Sequence, residues 1–524
     1  MSGGAPPPST RGEPHKYIIA FAVVVASMMQ IVDSSIVNVA IPHMMGNLGA
    51  SLDEIAWVST GYILAAVIVI PLTGFLGEFF GRKRYFVTSI LIFTAASVLC
   101  GASHSLNALI FWRVVQGLGG GALISTSQAV LFEAFPREEA GTAMGLFGLG
   151  IMVGPTLGPT LGGWITDNYS WPWIFYVNLP IGILAAALVG AYVHDHPSQE
   201  RTKHVDYLGI ALLAVSAISL QYLLEHGQRE DWFESGLIVT LTIAAVVGSA
   251  LLVWREMATG KPAIDFRVLR HRDTWVGTAL GVVVGVGLMG SVFILPVFLQ
   301  GTLHMTAWQS GLIILPGAMA TAVSTFTAGR IDRYVDSRLT VLVGGGFFFL
   351  SMWMLSHITG QSGAGDFFWP LIFRGFGLGG LFVPLATITL SRLDRRELSQ
   401  ATGISNFFRQ MGGSLGIALM ATLLVHYQQE SRSVLATHLS WYDAGTRMRL
   451  GQLTAAFLSR GADATSARSM ALTAMQGQLV QQASVLAFAR VYLLSGFILM
   501  GSMPLLLLIR KPQRGGQRGP AAAE

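Results

Sequence analysis

Long apolar stretches recur along this chain of 524 residues and alternate with short polar segments. A helix crosses the hydrocarbon of a bilayer in about 20 residues, and most of these stretches have that length. Each is predicted to be a helix, because a bilayer offers the backbone no other hydrogen-bond partner. The pattern therefore predicts an all-α membrane protein with fourteen spans, near residues 17–41, 56–74, 85–103, 108–131, 142–165, 173–193, 207–225, 236–255, 274–300, 309–329, 339–358, 367–391, 403–427 and 490–509.

The composition agrees with this pattern, since hydrophobic residues make up 52% of the chain and charged residues only 12%. A soluble domain carries about 25% charged residues, which excludes a soluble enzyme, a nucleic-acid-binding domain and a disordered chain. The single cysteine, Cys100, lies in an apolar stretch, which excludes disulfides and cysteine metal sites. The chain contains no Walker-type phosphate loop, so ATP is not the predicted energy source. No catalytic residue is predicted, and no cofactor other than a coupling proton.

The lysines and arginines of the short loops fall almost entirely on one side of the predicted bundle. Positive charge marks the cytoplasmic side, so both tails, residues 1–16 and 510–524, are predicted to be cytoplasmic. One long polar segment, residues 428–489, is predicted on the opposite, periplasmic side, with amphipathic helix in part of it. Two interpretations of this segment remain open, a solvated cap and a docking surface for a periplasmic partner.

The N-terminal and C-terminal parts of the chain carry related motifs. LIFWRVVQGLGGG at 109–121 resembles LIFRGFGLGG at 371–380, and residues 142–158 resemble residues 402–416. Spans 1–6 thus correspond to spans 9–14, and spans 7 and 8 are inserted between them. Two related six-helix halves are typical of alternating-access transporters, whose substrate site lies between the halves near mid-membrane. The predicted domains are an N-terminal half at 17–193, two inserted spans within 194–273, and a C-terminal half at 274–509.

Ionisable residues inside a span are costly and mark functional sites by default. Asp33 is the only acidic residue predicted well inside a span, and three arginines are also intramembrane, Arg113, Arg374 and Arg409. Asp33 and Arg113 lie about 12 and 8 Å from the outer ends of their helices, so they are predicted to meet. Protonation of Asp33 would release Arg113, which suggests proton coupling. A permanent structural ion pair is the alternative.

Four motifs occur in order in successive predicted spans and loops: MMQIVDSSIVNVAIP at 28–42, GFLGEFFGRKR at 74–84, RVVQGLGGG at 113–121 and GIMVGPTLGPTLGG at 150–163. Together they resemble motifs of the major facilitator superfamily, and within it the fourteen-span drug:proton antiporters of the EmrB/QacA type. The long segment between spans 13 and 14 makes the resemblance closest to the EmrB branch. The resemblance implies a proton-driven multidrug efflux antiporter of the bacterial inner membrane that contributes to antibiotic resistance.

The resemblance also implies roles for individual residues, with Asp33 and Arg113 coupling protons. The loop motif would latch the two halves together, although Glu78 stands where the superfamily has aspartate and Phe79 where it has a basic residue. The predicted latch residues are Gly74, Glu78, Gly81, Arg82 and Lys83. The fifth-span antiporter motif would seal the contact between the halves against leak, with packing alone as the alternative. Its members are Gly154, Pro155, Gly158, Pro159, Gly162 and Gly163.

Amphiphilic and hydrophobic compounds are the implied substrates. Membrane lipid, a periplasmic membrane-fusion adaptor and an outer-membrane channel are the implied partners. Arg374 or Arg409 would suit amphiphilic anions if either faces the cavity. A proton-coupled facilitator or symporter for a nutrient and a non-transporting scaffold are the alternative functions. The candidate substrate-binding residues, each of which could equally be ordinary core, are Gln30, Asn38, Gln116, Arg374, Asn406, Phe407 and Arg409.

Overall fold

The computed structural model describes residues 13–136, 139–194, 205–260, 262–332, 334–390, 393, 395–440 and 442–509, so most of the predicted N-terminal tail and all of residues 510–524 lie outside the described residues. Over the described part the chain forms sixteen α-helices. These are α1 (Glu13–Leu48), α2 (Leu52–Phe80), α3 (Arg82–Gly101), α4 (Leu106–Ala134), α5 (Ala140–Asn168), α6 (Trp173–Tyr176), α7 (Asn178–Tyr192), α8 (Tyr207–His226), α9 (Gly236–Ala258), α10 (Arg272–Val297), α11 (Ala307–Ile331), α12 (Ser337–Leu355), α13 (Phe368–Leu390), α14 (Arg395–Thr437), α15 (Ala444–Leu458) and α16 (Ala464–Ser502).

Each predicted span overlaps one of these helices, and the sixth overlaps both α6 and α7. The ninth span continues past α10 into a π-helical turn at Phe298–Thr302, and the fourteenth continues past α16 into a 3-10 helix at Met503–Leu508. Among the described residues, thirteen helical stretches are long and apolar enough to cross a membrane. The fifth predicted span lies on α5, a continuous helix of 29 residues, some of whose side chains lie outside the described residues. The predicted all-α membrane fold is therefore confirmed.

The same helix pairings occur in the N-terminal and C-terminal parts of the chain. In the first part α1 packs against α5, and α4 packs against both α2 and α3. In the second part α10 packs against α14, and α13 packs against both α11 and α12. We refer to α1–α7 as the N-half and to α10–α14 with α16 as the C-half. The pairings follow the order of the internal repeat, because corresponding helices take corresponding neighbours.

Helices α8 and α9 pack against each other, and α8 lies across the line where the two halves meet. On the N-half side, the Thr60 hydroxyl of α2 donates to Glu225 Oε1 at 2.7 Å. On the C-half side, the Ser414 hydroxyl of α14 donates to Gln221 Oε1 at 3.0 Å. The inserted pair is therefore attached to both halves through one helix.

Residues 428–489, which we call the cap, are mostly helical. Helix α14 runs to Thr437, ten residues beyond the predicted end of its span, and α16 begins at Ala464. Helix α15 lies between them and packs against α16. Hydrogen bonds from Ser466 and Thr465 hold the pKa of the Asp463 carboxyl, which caps α16, well below its usual range. The amphipathic helix predicted within this segment lies inside α16.

One end of the bundle, which we call the basic side, carries Lys16, Arg82 and Arg330, and the cap lies at the opposite end, the cap side. The halves touch closely near the basic side, where Gly141 of α5 meets Gly329 of α11 backbone to backbone. A Cβ atom at Gly74 of α2 would lie 2.8 Å from the Gln400 Cα atom of α14. Neither contact has room for a side chain, so the bundle is closed at the basic side.

Substitution of Gly329 by valine should open this side. The added Cβ would collide with the Gly141 carbonyl, whereas a Cβ at Gly346 of α12 meets nothing within 4 Å, so Gly346→Val is the matched control. Spin labels at Arg84→Cys in the N-half and Tyr334→Cys in the C-half, in a Cys100→Ser background, would report the separation across the basic side. The distance distribution should shift to longer values with Gly329→Val and stay unchanged with Gly346→Val. Identical distributions for both would contradict a steric closure at this contact.

Candidate functional site

Asp33 of α1 and Arg113 of α4 form an ion pair inside the N-half. The Arg113 Nη1 atom lies 2.7 Å from Asp33 Oδ2, and both side chains are fully buried, with exposed fractions of 1% and 0%. An isolated charge at this depth costs several kcal/mol, so the pairing of the two opposite charges reduces the cost of burying both. The two residues that the sequence predicts to meet are thus in contact, and their part in proton coupling stays a prediction.

Two amide side chains complete the hydrogen bonding of the Asp33 carboxylate. The Gln116 Nε2 and Asn178 Nδ2 atoms donate to Asp33 Oδ1 at 2.9 and 2.7 Å. Gln116 Oε1 in turn accepts from Arg113 Nη1 at 2.8 Å. Asn178 Nδ2 also lies 3.0 Å from the Ser97 hydroxyl of α3. Asp33 therefore accepts three hydrogen bonds, which come from α4 and α7.

Arg113 is held on its other side by α2. Its Nε atom donates to the Val58 carbonyl at 3.0 Å. Its guanidinium carbon lies 4.3 Å from the centre of the Tyr62 ring, within cation–π distance. The network thus joins α1, α2, α3, α4 and α7, and a change in the charge of Asp33 acts on five helices at once.

A polar face of α1 lies beside this network. Gln30, Ser34 and Asn38 are spaced four residues apart and so share one side of the helix. Ser34 and Asn38 are exposed, and the Ser59 hydroxyl of α2 lies 3.5 Å from Asn38 Oδ1. Gln30 is half-buried, and its Oε1 atom has no hydrogen-bond partner among the described residues. Of the predicted substrate-binding residues, Gln30 and Asn38 thus lie together, whereas Gln116 belongs to the ion-pair network.

A small pocket lies between the two halves, and we call it the seam pocket. The Asn406 amide of α14 crosses between the halves there, donating to Gln128 Oε1 at 2.7 Å and to the Ser125 hydroxyl at 3.1 Å. Arg409 donates to Asn406 Oδ1, and its guanidinium lies 4.8 Å from the Phe382 ring centre. The pocket has a volume of about 40 Å³ and is lined by Gln128, Gly277, Thr278, Gly281, Val284, Phe382, Leu385, Ala386, Thr389, Leu390, Ser405, Asn406 and Arg409.

The other two predicted substrate-binding residues lie elsewhere. Phe407 borders an apolar pocket of about 420 Å³ between the inserted helices and α14, together with Phe408 and Leu213. Arg374 is buried inside the C-half, where its Nη1 atom lies 3.4 Å from the Ser291 carbonyl. The seven candidates therefore divide among five separate places.

The antiporter motif packs against α1 of its own half. Cβ atoms at Gly154, Gly158 and Gly162 would collide with Ile31, Ser35 and Ile36. Gly163 has only Val39 nearby, at 3.9 Å, and the side chains of Pro155 and Pro159 lie outside the described residues. The contact of α5 with the C-half is made earlier in the helix, by Gly141, Gly145 and Gly148 against α11. The two faces of α5 thus touch α1 and the C-half.

The predicted latch residues lie at the basic side. Gly74 makes the close contact with α14, and Gly81 has a φ of 86° in the sharp turn between α2 and α3, which favours glycine. Arg82 is buried and pairs with Glu133 of α4, within the N-half. Glu78 and Lys83 are half-buried at the same end. Gly74 thus contributes a contact across the halves, whereas Arg82 is paired within one half.

Some residues of the site are not among the sequence predictions. Asn178, the closest donor to Asp33 after Arg113, has a visible signal, because it is an isolated amide in the apolar segment WPWIFYVNLPIG. Ser125 has a weaker signal, since polar residues are frequent along α4 and only the rotation of the helix selects those that face Asn406.

The fold and these sites define a two-half membrane transporter, and comparison with known proteins agrees. The family model described as Major Facilitator Superfamily matches residues 23–417, so the chain belongs to that superfamily. The solved structure of the human organic anion transporter MFSD10 (TETRAN) shares its fold, with a TM-score of 0.56 over 92% of this chain and 99% of that chain, at 11% identity.

Curated bacterial proteins are more closely similar. The chain is 31% identical to the fatty acid resistance protein FarB of Neisseria gonorrhoeae and to the multidrug export protein EmrB of Escherichia coli (strain K12), covering 96% of this chain and 97% of each relative. It is 30% identical to the colistin resistance protein EmrB of Acinetobacter baumannii, covering 90% of this chain and 92% of that one. The predicted relationship to the EmrB type is therefore confirmed.

Removal of one partner from the ion pair should destabilise the protein strongly. Asp33→Asn leaves the Arg113 charge buried without a carboxylate, which costs about 3–5 kcal/mol for a broken buried pair. Thermal unfolding of the purified protein should show a clearly lower midpoint for Asp33→Asn and for Arg113→Gln. The double variant should lose less stability than the sum of the losses of the two single variants, because it leaves no uncompensated charge. Asp167→Asn, at an exposed acid of α5, is the matched control. Strictly additive losses would contradict the coupling.

Proposed function

We propose that the protein is a proton-driven antiporter that exports amphiphilic and hydrophobic toxic compounds across the inner membrane. The proposal rests on the buried Asp33–Arg113 network. Asp33 is a titratable residue, and the network to which it belongs contacts most helices of the N-half. Similarity to a multidrug export protein and to a fatty acid resistance protein supports the substrate class.

Protonation of Asp33 would change the network directly. A neutral carboxylic acid loses its ionic attraction to Arg113 and has one oxygen that donates instead of accepting. Gln116 and Asn178 would then compete for fewer acceptor positions. The ionised form therefore favours the arrangement seen here, and protonation favours a different relation of α1, α4 and α7.

A continuous series of helix contacts leads from Asp33 to the closed basic side. Helix α1 carries Asp33 and packs against the motif glycines of α5. Helix α5 also makes the Gly141–Gly329 contact with the C-half. A displacement of α1 after protonation would therefore act on the helix that closes the basic side, which supports a coupling between proton binding and opening.

The free energy of one proton entering the cell exceeds that needed to export a substrate against a tenfold gradient. One proton moving inward through 100 mV supplies about 2.3 kcal/mol, whereas a tenfold concentration gradient of an uncharged substrate requires about 1.4 kcal/mol. One proton per cycle is thus sufficient for substantial accumulation outside the cell.

Proton coupling can be measured in proteoliposomes that enclose a pH-sensitive dye, to which a lipophilic substrate is added from outside. With the unaltered protein and with Asp167→Asn, protons should then move across the membrane in the direction opposite to the substrate. Asp33→Asn should abolish this proton movement, because the side chain that binds the proton is gone. Uphill substrate export by Asp33→Asn at the unaltered rate would disprove the proposed role. Movement of proton and substrate in the same direction would favour the symporter, and no movement of any compound would favour the scaffold.

We also propose that the basic side faces the cytoplasm and that the cap meets a periplasmic adaptor of a tripartite system that includes an outer-membrane channel. The positive charge at the basic side supports the orientation. The cap supports the partner, because several of its large apolar side chains are exposed to solvent, among them Tyr442 (91%), Met448 (65%) and Met470 (47%). Such apolar surface favours burial against another protein.

The cap can be shortened without cutting its long helices. Residues 438–463 would be replaced by a short glycine–serine linker, which removes α15 and joins α14 to α16. Substrate-driven proton movement in proteoliposomes should remain, because the membrane part is unchanged. Drug resistance of cells that carry the shortened protein should be lost if the cap binds the adaptor. Full resistance in cells would contradict that role, and loss of both activities would show that the cap stabilises the membrane part.

A further inference from the structure

Arg409 is a cation between the two halves that pairs with no acidic residue in the described part of the chain. It lies six residues past the predicted start of its span at residue 403, about 9 Å along the helix. Of its five N–H groups, the described hydrogen bonds use one, to Asn406 Oδ1. Arg113 at a comparable depth has a carboxylate and three further neighbours. Arg113 and Arg409 therefore differ, because Arg113 is neutralised by a carboxylate of the protein and Arg409 is not.

The surroundings of Arg409 suit a negatively charged group. None of the residues that line the seam pocket is acidic, and several carry hydroxyl or amide groups. The Thr278 and Ser405 hydroxyls lie 3.0 Å apart on facing helices, so one of the two protons can point into the pocket. A positive charge with neutral donors in a low-dielectric site attracts an anion more strongly than it would in water.

We propose that Arg409 and the seam pocket bind the oxyanion head group of an amphiphilic substrate, a carboxylate or a sulfonate. This inference rests on the proposed function and specifies a class of substrate for it. The volume of about 40 Å³ fits a head group of a few atoms, since about 10–15 Å³ of such cavity volume holds one water molecule. Guanidinium binds such groups through two parallel N–H donors, which gives a geometric preference as well as a charge preference.

The position of the pocket relates binding to the movement of the halves. Asn406 holds Arg409 and at the same time donates to Gln128 and Ser125 of the N-half. Separation of the halves at the basic side would break these two bonds and widen the pocket toward that side. Anions would therefore bind in the form that is open at the basic side, and closure would restore the Asn406 bonds and reduce the space for the head group. The apolar tail would lie against Phe382, Val284 and Leu385.

Two fluorescent probes that differ in one group test the inference. 8-Anilinonaphthalene-1-sulfonate carries a permanent negative charge, and N-phenyl-1-naphthylamine has the same aromatic body without the sulfonate. Transport of each would be measured in proteoliposomes with the unaltered protein and with Arg409→Gln, Arg409→Lys and Gln410→Ala. Gln410, exposed and adjacent to Arg409 on α14, provides the control.

Arg409→Gln should raise the KM for the sulfonate about tenfold or more, because it removes a charge-assisted hydrogen bond, and should leave the neutral probe within about twofold. The KM of Arg409→Lys for the sulfonate should lie between the values of the unaltered protein and of Arg409→Gln, since lysine keeps the charge and loses the paired donors. Transport of the neutral probe also shows that each variant is folded. An equal loss of transport of both probes in Arg409→Gln would overturn the inference in favour of a structural role for Arg409. Unchanged transport of both probes in that variant would overturn it outright.

The outcome separates this inference from the proposed function. If the unaltered protein moves the neutral probe with protons but never the sulfonate, the anion site is wrong and the antiport stands. If it moves neither probe, the antiport itself is wrong and the anion site with it.

Discussion

A carboxylate and a guanidinium inside a membrane must neutralise each other, and this constraint organises the N-half. Asp33 and Arg113 are both fully buried, and the groups that complete their hydrogen bonding come from α2, α4 and α7. The C-half repeats the helix pairings but not the chemistry, since Arg374 lies 3.4 Å from a backbone carbonyl and has no acidic partner among the described residues. In the proposed antiport mechanism the proton-sensitive element would therefore belong to the N-half, and the C-half would be the body against which it moves.

Close packing then determines how a local change can spread. Cβ atoms at the motif glycines of α5 would collide with α1, and Gly141 of the same helix meets Gly329 of α11 backbone to backbone. Packed interfaces do not deform continuously, because a shift of one backbone forces its neighbour to move or the contact to break. Helix α5 therefore links α1, which carries Asp33, to the closed basic side.

The sequence contains enough information for the spans and for the ion pair, because both depend on strong one-dimensional signals. Span length is set by bilayer thickness. A single acidic residue among apolar residues can be recognised in the sequence whichever way its helix is rotated. The grouping of the other candidates depends on helix rotation and on which helices are neighbours. Phe407 and Arg409 are two residues apart on α14, yet one borders an apolar pocket beside the inserted helices and the other the seam pocket. The helical cap was only partly predictable, because its polar residues give weak periodicity.

The inserted helices must take part in any movement of the halves, since α8 is hydrogen-bonded to both. Its two described side-chain bonds, from Thr60 to Glu225 and from Ser414 to Gln221, link it to α2 and α14. Each such bond contributes about 0.5–1.5 kcal/mol net, so breaking one costs less than the roughly 2.3 kcal/mol that a proton supplies through 100 mV. In the proposed antiport cycle one attachment would then be released while the other holds. The inserted pair would limit how far the halves separate near α2 and α14 without preventing the exchange between states.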